Sequence, residues 1–339
     1  MSVPAPAVTS VDAGGRLRVV YVFRAPCAGG HSIEGLFRSI ATAMQTHCEV
    51  STYVLRGGWR LLGDIWRIRR LRPDIVHVTG AANHILPLLV GLRVVLTVHD
   101  IGHYLYTLRG WRRAVYRWLW MDLPYRLAWR LTTISTHTQE QLAKHCPATR
   151  RKTIVVHNCV SDRFTPDADG TRQSVPTVLQ VGAQPHKNLT RIVEALKGTG
   201  WRLEILGNPD EVTRQLLENS GVDYYCHGWV AEEAVPELYR RADVIAFASL
   251  SEGFGMPIIE AQAMGRPVVT SHVTAMPEVA GKGACVVDPT DIEAIRVAIR
   301  RTIEDSAFRD QLVRDGLDNV RRFQPARIAV DYLAVYRSP

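Results

Sequence analysis

Glu252 and Glu260 stand with seven residues between them, Gly253-Phe254-Gly255-Met256-Pro257-Ile258-Ile259. A carboxylate accepts hydrogen bonds from hydroxyls, so two of them beside one turn can grip a sugar. The stretch reads as loop, helix, turn, strand. Two glycines bracket Phe254, Pro257 suits a first helical turn, and Gly265 caps the helix before Val268-Val269-Thr270. This places Glu252 in the loop and Glu260 in the first turn, beside free amides that attract phosphate. Strand, glycine turn and helix recur in all α/β domains, so spacing alone leaves the structural and chemical readings even.

Three further positions carry chemistry. Lys187 follows the strand-like Thr177–Gly182 and precedes a helical pattern from Leu189. A cation there adds to the helix-end field and suits a diphosphate, although by spacing alone an exposed turn lysine is the commoner reading. His99 and Asp100 end the run Val94–Val98, at the edge where open parallel sheets hold ligands; a His-Asp pair there is more often a hydrogen-bonded loop feature. Gly29 and Gly30, with His31 beside them, follow the strand-formers Leu17–Phe23. They suit an anion or acceptor cradle, or simply the tight first turn of a doubly wound sheet. The pattern is not Gly-x-Gly-x-x-Gly, which argues against a nicotinamide-dependent oxidoreductase.

These groups need a scaffold, and the chain alternates strand and helix patterns throughout. Ile33, Leu36, Phe37 and Ile40 share a helical face; strands are expected at Glu49–Leu55, Pro73–Val78, Thr132–Ser135 and Ile154–Val156, with a basic helix at Trp59–Leu71. Leu203–Gly207, Tyr224–Val230 and Val244–Ser249 continue the rhythm, the last presenting the Glu252 loop. Helices follow at Ile292–Ile303 and Pro325–Tyr336. The pattern is that of parallel sheets in α/β domains. Arg163–Pro176, polar and holding two prolines, is the natural boundary. Its Asp167-Ala168-Asp169 is not taken as a metal motif, because a polar linker rather than an apolar strand precedes it, and no metal site is expected.

Between Leu105 and Leu131, Trp111, Trp118, Trp120 and Trp129 interleave with Arg109, Arg112, Arg113, Arg117, Arg126 and Arg130. On a helix Trp111, Val115, Trp118 and Leu119 share one face, with the arginines elsewhere, until Pro124 interrupts it. The segment suits an anionic membrane interface, or equally a helix packing its tryptophans on the core and solvating its arginines. Nucleic acid ranks lower, since no recognition module accompanies the arginines.

The length of 339 residues and 46% hydrophobic content favour two domains over one. A net charge of +8 suits a phosphorylated substrate, an anionic membrane or nucleic acid about equally. Six cysteines are scattered without zinc-ligand spacing, which fits reduced thiols in a cytoplasm. Residues 1–15 read as a loose tail without the features of a signal peptide, and Ile85–Val98, broken by Pro87 and Arg93, is too short to span a bilayer.

The glutamate block closely resembles the Glu, seven residues, Glu motif of retaining GT-B glycosyltransferases of family four, the glycosyl transferases group 1. The resemblance extends to Thr97-Val98-His99-Asp100, the Gly29-Gly30 pair, Lys187-Asn188, Met276-Pro277-Glu278 and Val286-Val287-Asp288-Pro289. It implies two Rossmann-like, doubly wound domains facing across a cleft, with a C-terminal helix crossing back to the first. The expected spans are a tail at 1–15, an acceptor domain at 16–165, a donor domain at 166–322 and the crossover helix at 323–339. By the same resemblance Glu252 and the stretch Gly253, Phe254, Gly255, Met256 and Pro257 hold the donor sugar, and Glu260 holds the nucleotide ribose. Lys187, following Gly182, meets the donor phosphates, His99 approaches the donor sugar, and Gly29, Gly30 and Asp100 line the phosphate and acceptor side. Two departures stand out. Ala183 and Gln184 occupy a loop where the family often has an arginine, and His157-Asn158-Cys159 replaces a Pro-Asn-Gly-like turn.

The implied activity is retaining transfer of a hexosyl unit, mannosyl as the family-weighted choice, from a nucleoside diphosphate sugar to a saccharide or lipid-linked saccharide. The donor serves as substrate, with no cofactor or metal, and the implied place is cytoplasmic or peripheral on the inner membrane face. The rival reading is a non-catalytic GT-B-like sugar-nucleotide binder or membrane scaffold.

Overall fold

The computed structural model describes residues 16–24, 32–102, 104, 108–166 and 174–339. The tail 1–15, Gly29, Gly30, His31 and Asp167–Asp169 lie outside the described residues. The chain divides into two compact units, one comprising the described residues up to Cys159 together with Pro325–Pro339, the other Val160–Gln324.

In the first unit β1 (Arg18–Phe23), β2 (Glu49–Val54), β3 (Ile75–Val78), β4 (Val94–Val98), β5 (Arg130–Thr133) and β6 (Thr153–Val155) form a parallel sheet ordered β2-β1-β3-β4-β5-β6. Its inner strands are buried along their length because helices cover both faces, which explains the unbroken Val-Val-Leu-Thr-Val of β4. On one face Val20, Val22, Val76 and Val78 pack with Ile65, Ile68, Ile85, Leu86, Met121 and Tyr125. On the other, Phe37, Tyr21 and His77 meet Tyr332 and Tyr336 of the helix Pro325–Arg337. That contact has a polar centre. The His77 ring bonds the Tyr336 hydroxyl at 2.6 Å and Thr97 Oγ1 at 2.8 Å, and the Tyr336 hydroxyl donates to that of Tyr21 at 3.0 Å.

The second unit repeats the plan with β7 (Thr177–Val181), β8 (Arg202–Leu206), β9 (Asp223–Cys226), β10 (Val244–Phe247), β11 (Val268–Ser271) and β12 (Cys285–Val287), ordered β12-β11-β10-β7-β8-β9 and all parallel. The order reverses between β7 and β10, so the loops leaving these strands diverge and open a crevice at their carboxyl ends. In the first sheet the reversal lies between β1 and β3.

Two local expectations change. The tryptophan-rich helix does not stop at Pro124. Residues 110–116 are α-helical, 117–122 widen into a π-helix, and Pro124 sits in the first turn of Leu123–Leu127. A π segment leaves backbone groups out of the ordinary ladder, so a residue without an N–H can follow it. The basic helix spans Leu61–Arg70 behind a short 3-10 turn at Gly58–Arg60. Among the described residues no helix is long and apolar enough to cross a membrane, and Cys48, Cys146, Cys159, Cys226 and Cys285 are free thiols.

Candidate active site

The β7–β10 reversal brings Lys187 to Glu252, 65 residues apart in sequence, with Nζ 2.8 Å from Oε1. Both side chains are largely buried, so the bond is charge-assisted and shielded from water. Two loops are stitched together to hold it. The buried Gln180 amide donates to the carbonyls of Gly182 (3.1 Å) and Lys187 (3.0 Å), and the Leu250 amide donates to the His186 carbonyl at 2.8 Å. Asn188, in the left-handed region at φ 63°, donates to the carbonyls of Ala248 and Pro289 at 2.9 and 2.7 Å.

Gly182 is required by space as well as by its φ of 90°. A Cβ there would stand 2.9 Å from Lys187 Cε, so the lysine stem lies directly across the glycine. Lys187 Nζ also sits 4.8 Å from the centroid of the Phe247 ring, a second contact for the cation. On the opposite loop the Glu252 amide donates to Thr274 Oγ1 at 3.1 Å.

The helix Met256–Ala263 begins after Gly255, with Pro257 in its first turn and no side-chain cap. Gly253 is half-buried in the loop before it, and Phe254 is buried edge-on to Phe323. Glu260 is the fifth residue of the helix, just past the first turn where the sequence placed it, since the helix starts at Met256 rather than Pro257. Its carboxylate therefore lies beyond the helix-end amides and meets Tyr239, whose hydroxyl donates to Oε2 at 2.6 Å. Burial raises the Glu260 carboxyl from 4.5 to about 7, outweighing the lowering effects of Tyr239 and the Lys187 charge. The carboxylate thus has one oxygen engaged and a second, Oε1, with acceptor capacity.

His99 and Asp100 belong to the first unit. Nε2 of His99 lies 2.7 Å from the Thr79 carbonyl, which can only accept, so Nε2 carries the proton and a neutral ring presents Nδ1 as an acceptor. Burial holds the imidazole below its usual value, against the opposing effect of that carbonyl. Gly80 makes this packing possible, because a Cβ there would stand 2.7 Å from His99 Cδ2. Asp100 is exposed and accepts the Gly102 amide at 2.8 Å, a local turn bond.

Tyr239, Thr274, Thr79 and Gly80 were not singled out in sequence. Gly80, a glycine at the end of an apolar strand, carried a readable signal. Tyr239 carried none, because its helix reaches Glu260 only through tertiary packing. Among the described residues no three His, Cys, Asp or Glu side chains are grouped to hold a metal ion.

Residues 20–164 match the Glycosyltransferase Family 4 domain, and residues 175–305 match the Glycosyl transferases group 1 domain. The chain is 32% identical over 165 residues to the O-antigen chain mannosyltransferase B of Escherichia coli, covering 45% of this chain and 43% of that protein, so the match spans under half the relative's length. It is 27% identical over 254 residues to the O-antigen chain mannosyltransferase RfbU of Salmonella typhimurium, covering 71% of this chain and 70% of the other. The structure of Anabaena HepE in complex with UDP-glucose superposes with a TM-score of 0.73 at 16% identity, covering 94% of this chain and all of that one. Two doubly wound parallel sheets of this order define the GT-B class. Within it, the chain belongs to the family 4, group 1 glycosyltransferases.

Proposed function

We propose that this protein transfers a hexosyl unit, mannosyl first among the candidates, from a nucleoside diphosphate sugar to a saccharide or lipid-linked saccharide acceptor in surface glycan biosynthesis. The observation that carries the reading is the Lys187–Glu252 pair at the β7–β10 reversal, in a chain whose two halves both match glycosyltransferase domains. The mannosyl choice is carried from the names of the two relatives, and the nucleotide donor from the HepE complex.

In this reading Lys187 exchanges Glu252 for the donor diphosphate and neutralises the charge that develops as it leaves. Glu252, released from the lysine, accepts from sugar hydroxyls, with the loop Gly253–Pro257 behind them. Glu260 Oε1 accepts from the ribose. His99 presents a neutral imidazole toward the donor sugar, and Asp100 serves the acceptor side. Transfer proceeds with retention, the departing phosphate taking the acceptor proton, and the donor needs neither cofactor nor metal. The segment Trp111–Arg130 rests on an anionic membrane face. Trp111 and Trp118 are 76% and 61% exposed, which supports this reading over one in which these two rings pack on the core.

A panel of guanosine, uridine and thymidine diphosphate sugars tests this by thermal shift and by release of nucleoside diphosphate. One donor, expected to be GDP-mannose, should raise the melting temperature by mass action and be turned over when acceptor is present. Lys187→Ala should weaken donor affinity by about tenfold or more, roughly 1.4 kcal/mol, and Glu252→Ala should abolish transfer with an unchanged fold. Unchanged kinetics in both variants would remove the site assignment, and donor binding without any turnover would favour a binding scaffold.

A further inference from the structure

The helix Leu61–Arg70 and the turn ahead of it carry two apolar stripes. Ile65 and Ile68 turn into the core against the first sheet. Trp59, Leu62 and Trp66, spaced at i, i+3 and i+7, point away from it and are 87%, 71% and 58% exposed. Folding needs only the inner stripe; leaving the outer one in water forgoes the stabilisation that burying its apolar surface would bring.

The outer stripe is held in place. Buried Asp64 accepts from the Tyr53 hydroxyl (2.8 Å), the Arg56 amide (2.9 Å) and Arg56 Nε (2.8 Å), fixing the exit from β2 that carries Trp59. The Arg60 and Arg70 guanidinium groups lie over the Trp59 and Trp66 rings, at 4.9 and 5.0 Å from their centroids. Residues 56–72 hold six arginines and one acid, Asp64, which is already matched by Arg56. Arg69 is spent inside the unit on the carbonyls of Leu88 and Val90, while Arg60, Arg67, Arg70 and Arg72 are exposed beside the stripe.

This helix shares a face of the sheet with Trp111 and Trp118. The step from β1 to β2 runs one way across the sheet and every later step runs the other, so right-handed crossovers put the helices after β2 and β4 on one side. Arg69 reaches the Val90 carbonyl at 2.7 Å, and Asn83 Nδ2 reaches the Trp120 carbonyl at 2.7 Å, tying the two helices through the segment between them.

We infer that Trp59, Leu62 and Trp66, with Arg60, Arg67, Arg70 and Arg72, form a second surface that binds an anionic lipid bilayer. Tryptophan suits the headgroup interface, and arginines beside it are attracted to an anionic surface. A glycan would stack on the tryptophan faces but has no use for Leu62 and the exposed Val90, so the mixture of aromatic, aliphatic and cationic groups selects lipid. The inference extends the docking proposed for Trp111–Arg130 and shares its partner, but stands on different residues.

Flotation of the full chain with vesicles of phosphatidylcholine alone, or of equimolar phosphatidylcholine and phosphatidylglycerol, tests it. The variants are Trp59→Ser/Trp66→Ser and Trp111→Ser/Trp118→Ser; all four rings are exposed, and circular dichroism checks the fold. The wild type should bind the anionic vesicles and be released by salt. The Trp59/Trp66 variant should lose about tenfold or more in partitioning and show less fluorescence quenching by brominated lipid. Wild-type partitioning by that variant overturns the inference; if the Trp111/Trp118 variant alone loses binding, only the first docking surface stands. A Trp59/Trp66 loss with normal Trp111/Trp118 binding leaves this surface alone. Failure of the wild type to bind either vesicle, or its retention by polysaccharide instead, removes both.

Discussion

Burial lifts the Glu260 carboxyl from 4.5 to about 7 even though Tyr239 donates to it and Lys187 is near. A carboxyl whose folded value exceeds its unfolded one contributes stability that is full below about pH 4.5 and lost as pH rises through about 7. Glu260→Gln removes that titration, so its stability relative to the wild type should improve by on the order of 2 kcal/mol between about pH 5 and about pH 8, read by urea denaturation. The same variant should weaken donor binding, because an amide cannot match a carboxylate as acceptor for the ribose. A gain in stability with unaltered affinity would assign Glu260 to structure alone. Glu252, Glu260 and Lys187 were all legible as residue types in a βα setting. The partners that give them their properties were not: Tyr239 and Thr274 reach them across loops, and no local pattern encodes the Lys187–Glu252 contact.

The contact between the helix Pro325–Arg337 and the first sheet places an imidazole where apolar packing would be expected. Burial pushes His77 from 6.5 down to about 3, with the nearby His99 adding to the effect. The folded state therefore keeps the ring neutral while the unfolded chain protonates it near 6.5. Stability is full above that value and is lost progressively as pH falls toward 3, at about 1.4 kcal/mol per unit. His77→Gln should flatten this acid limb of the stability profile. It should also cost about 1–3 kcal/mol at neutral pH, where the bonds to Tyr336 and Thr97 are disturbed. Equal acid sensitivity in the two proteins, measured by denaturant titration across the range, would place the titration elsewhere. At this scale the strands were readable from their β-branched runs and the last helix from Ile328, Tyr332 and Val335. The π segment before Pro124 was not, because proline rules treat a local clash, and widening the helical register is a response of the whole turn.

The chain begins in one unit, completes a second and then returns its last helix to the first. Amphipathic spacing marks Pro325–Tyr336 as a helix with a buried face but names no partner, and only the family resemblance pointed to the first domain. Burial of Ile328, Tyr332, Val335 and Tyr336 against the first unit stabilises it by about 6–12 kcal/mol, at 1.5–3 kcal/mol for each large apolar side chain. That is comparable with the whole stability of a domain, about 5–15 kcal/mol. Ending the chain after Gln324 should therefore unfold the first unit, because the sheet face carrying Tyr21, Phe37 and His77 loses its cover. The second unit holds Lys187, Glu252, Glu260 and Tyr239 within its own sheet and loops, so it should keep its fold and, under the proposed function, its affinity for the donor while transfer is lost. Hydrogen exchange read by mass spectrometry distinguishes the two units directly. Protection should collapse in β1, β3 and β4 and persist in β7, β10 and β11; retained protection in all six would show that the returning helix is dispensable to the first unit.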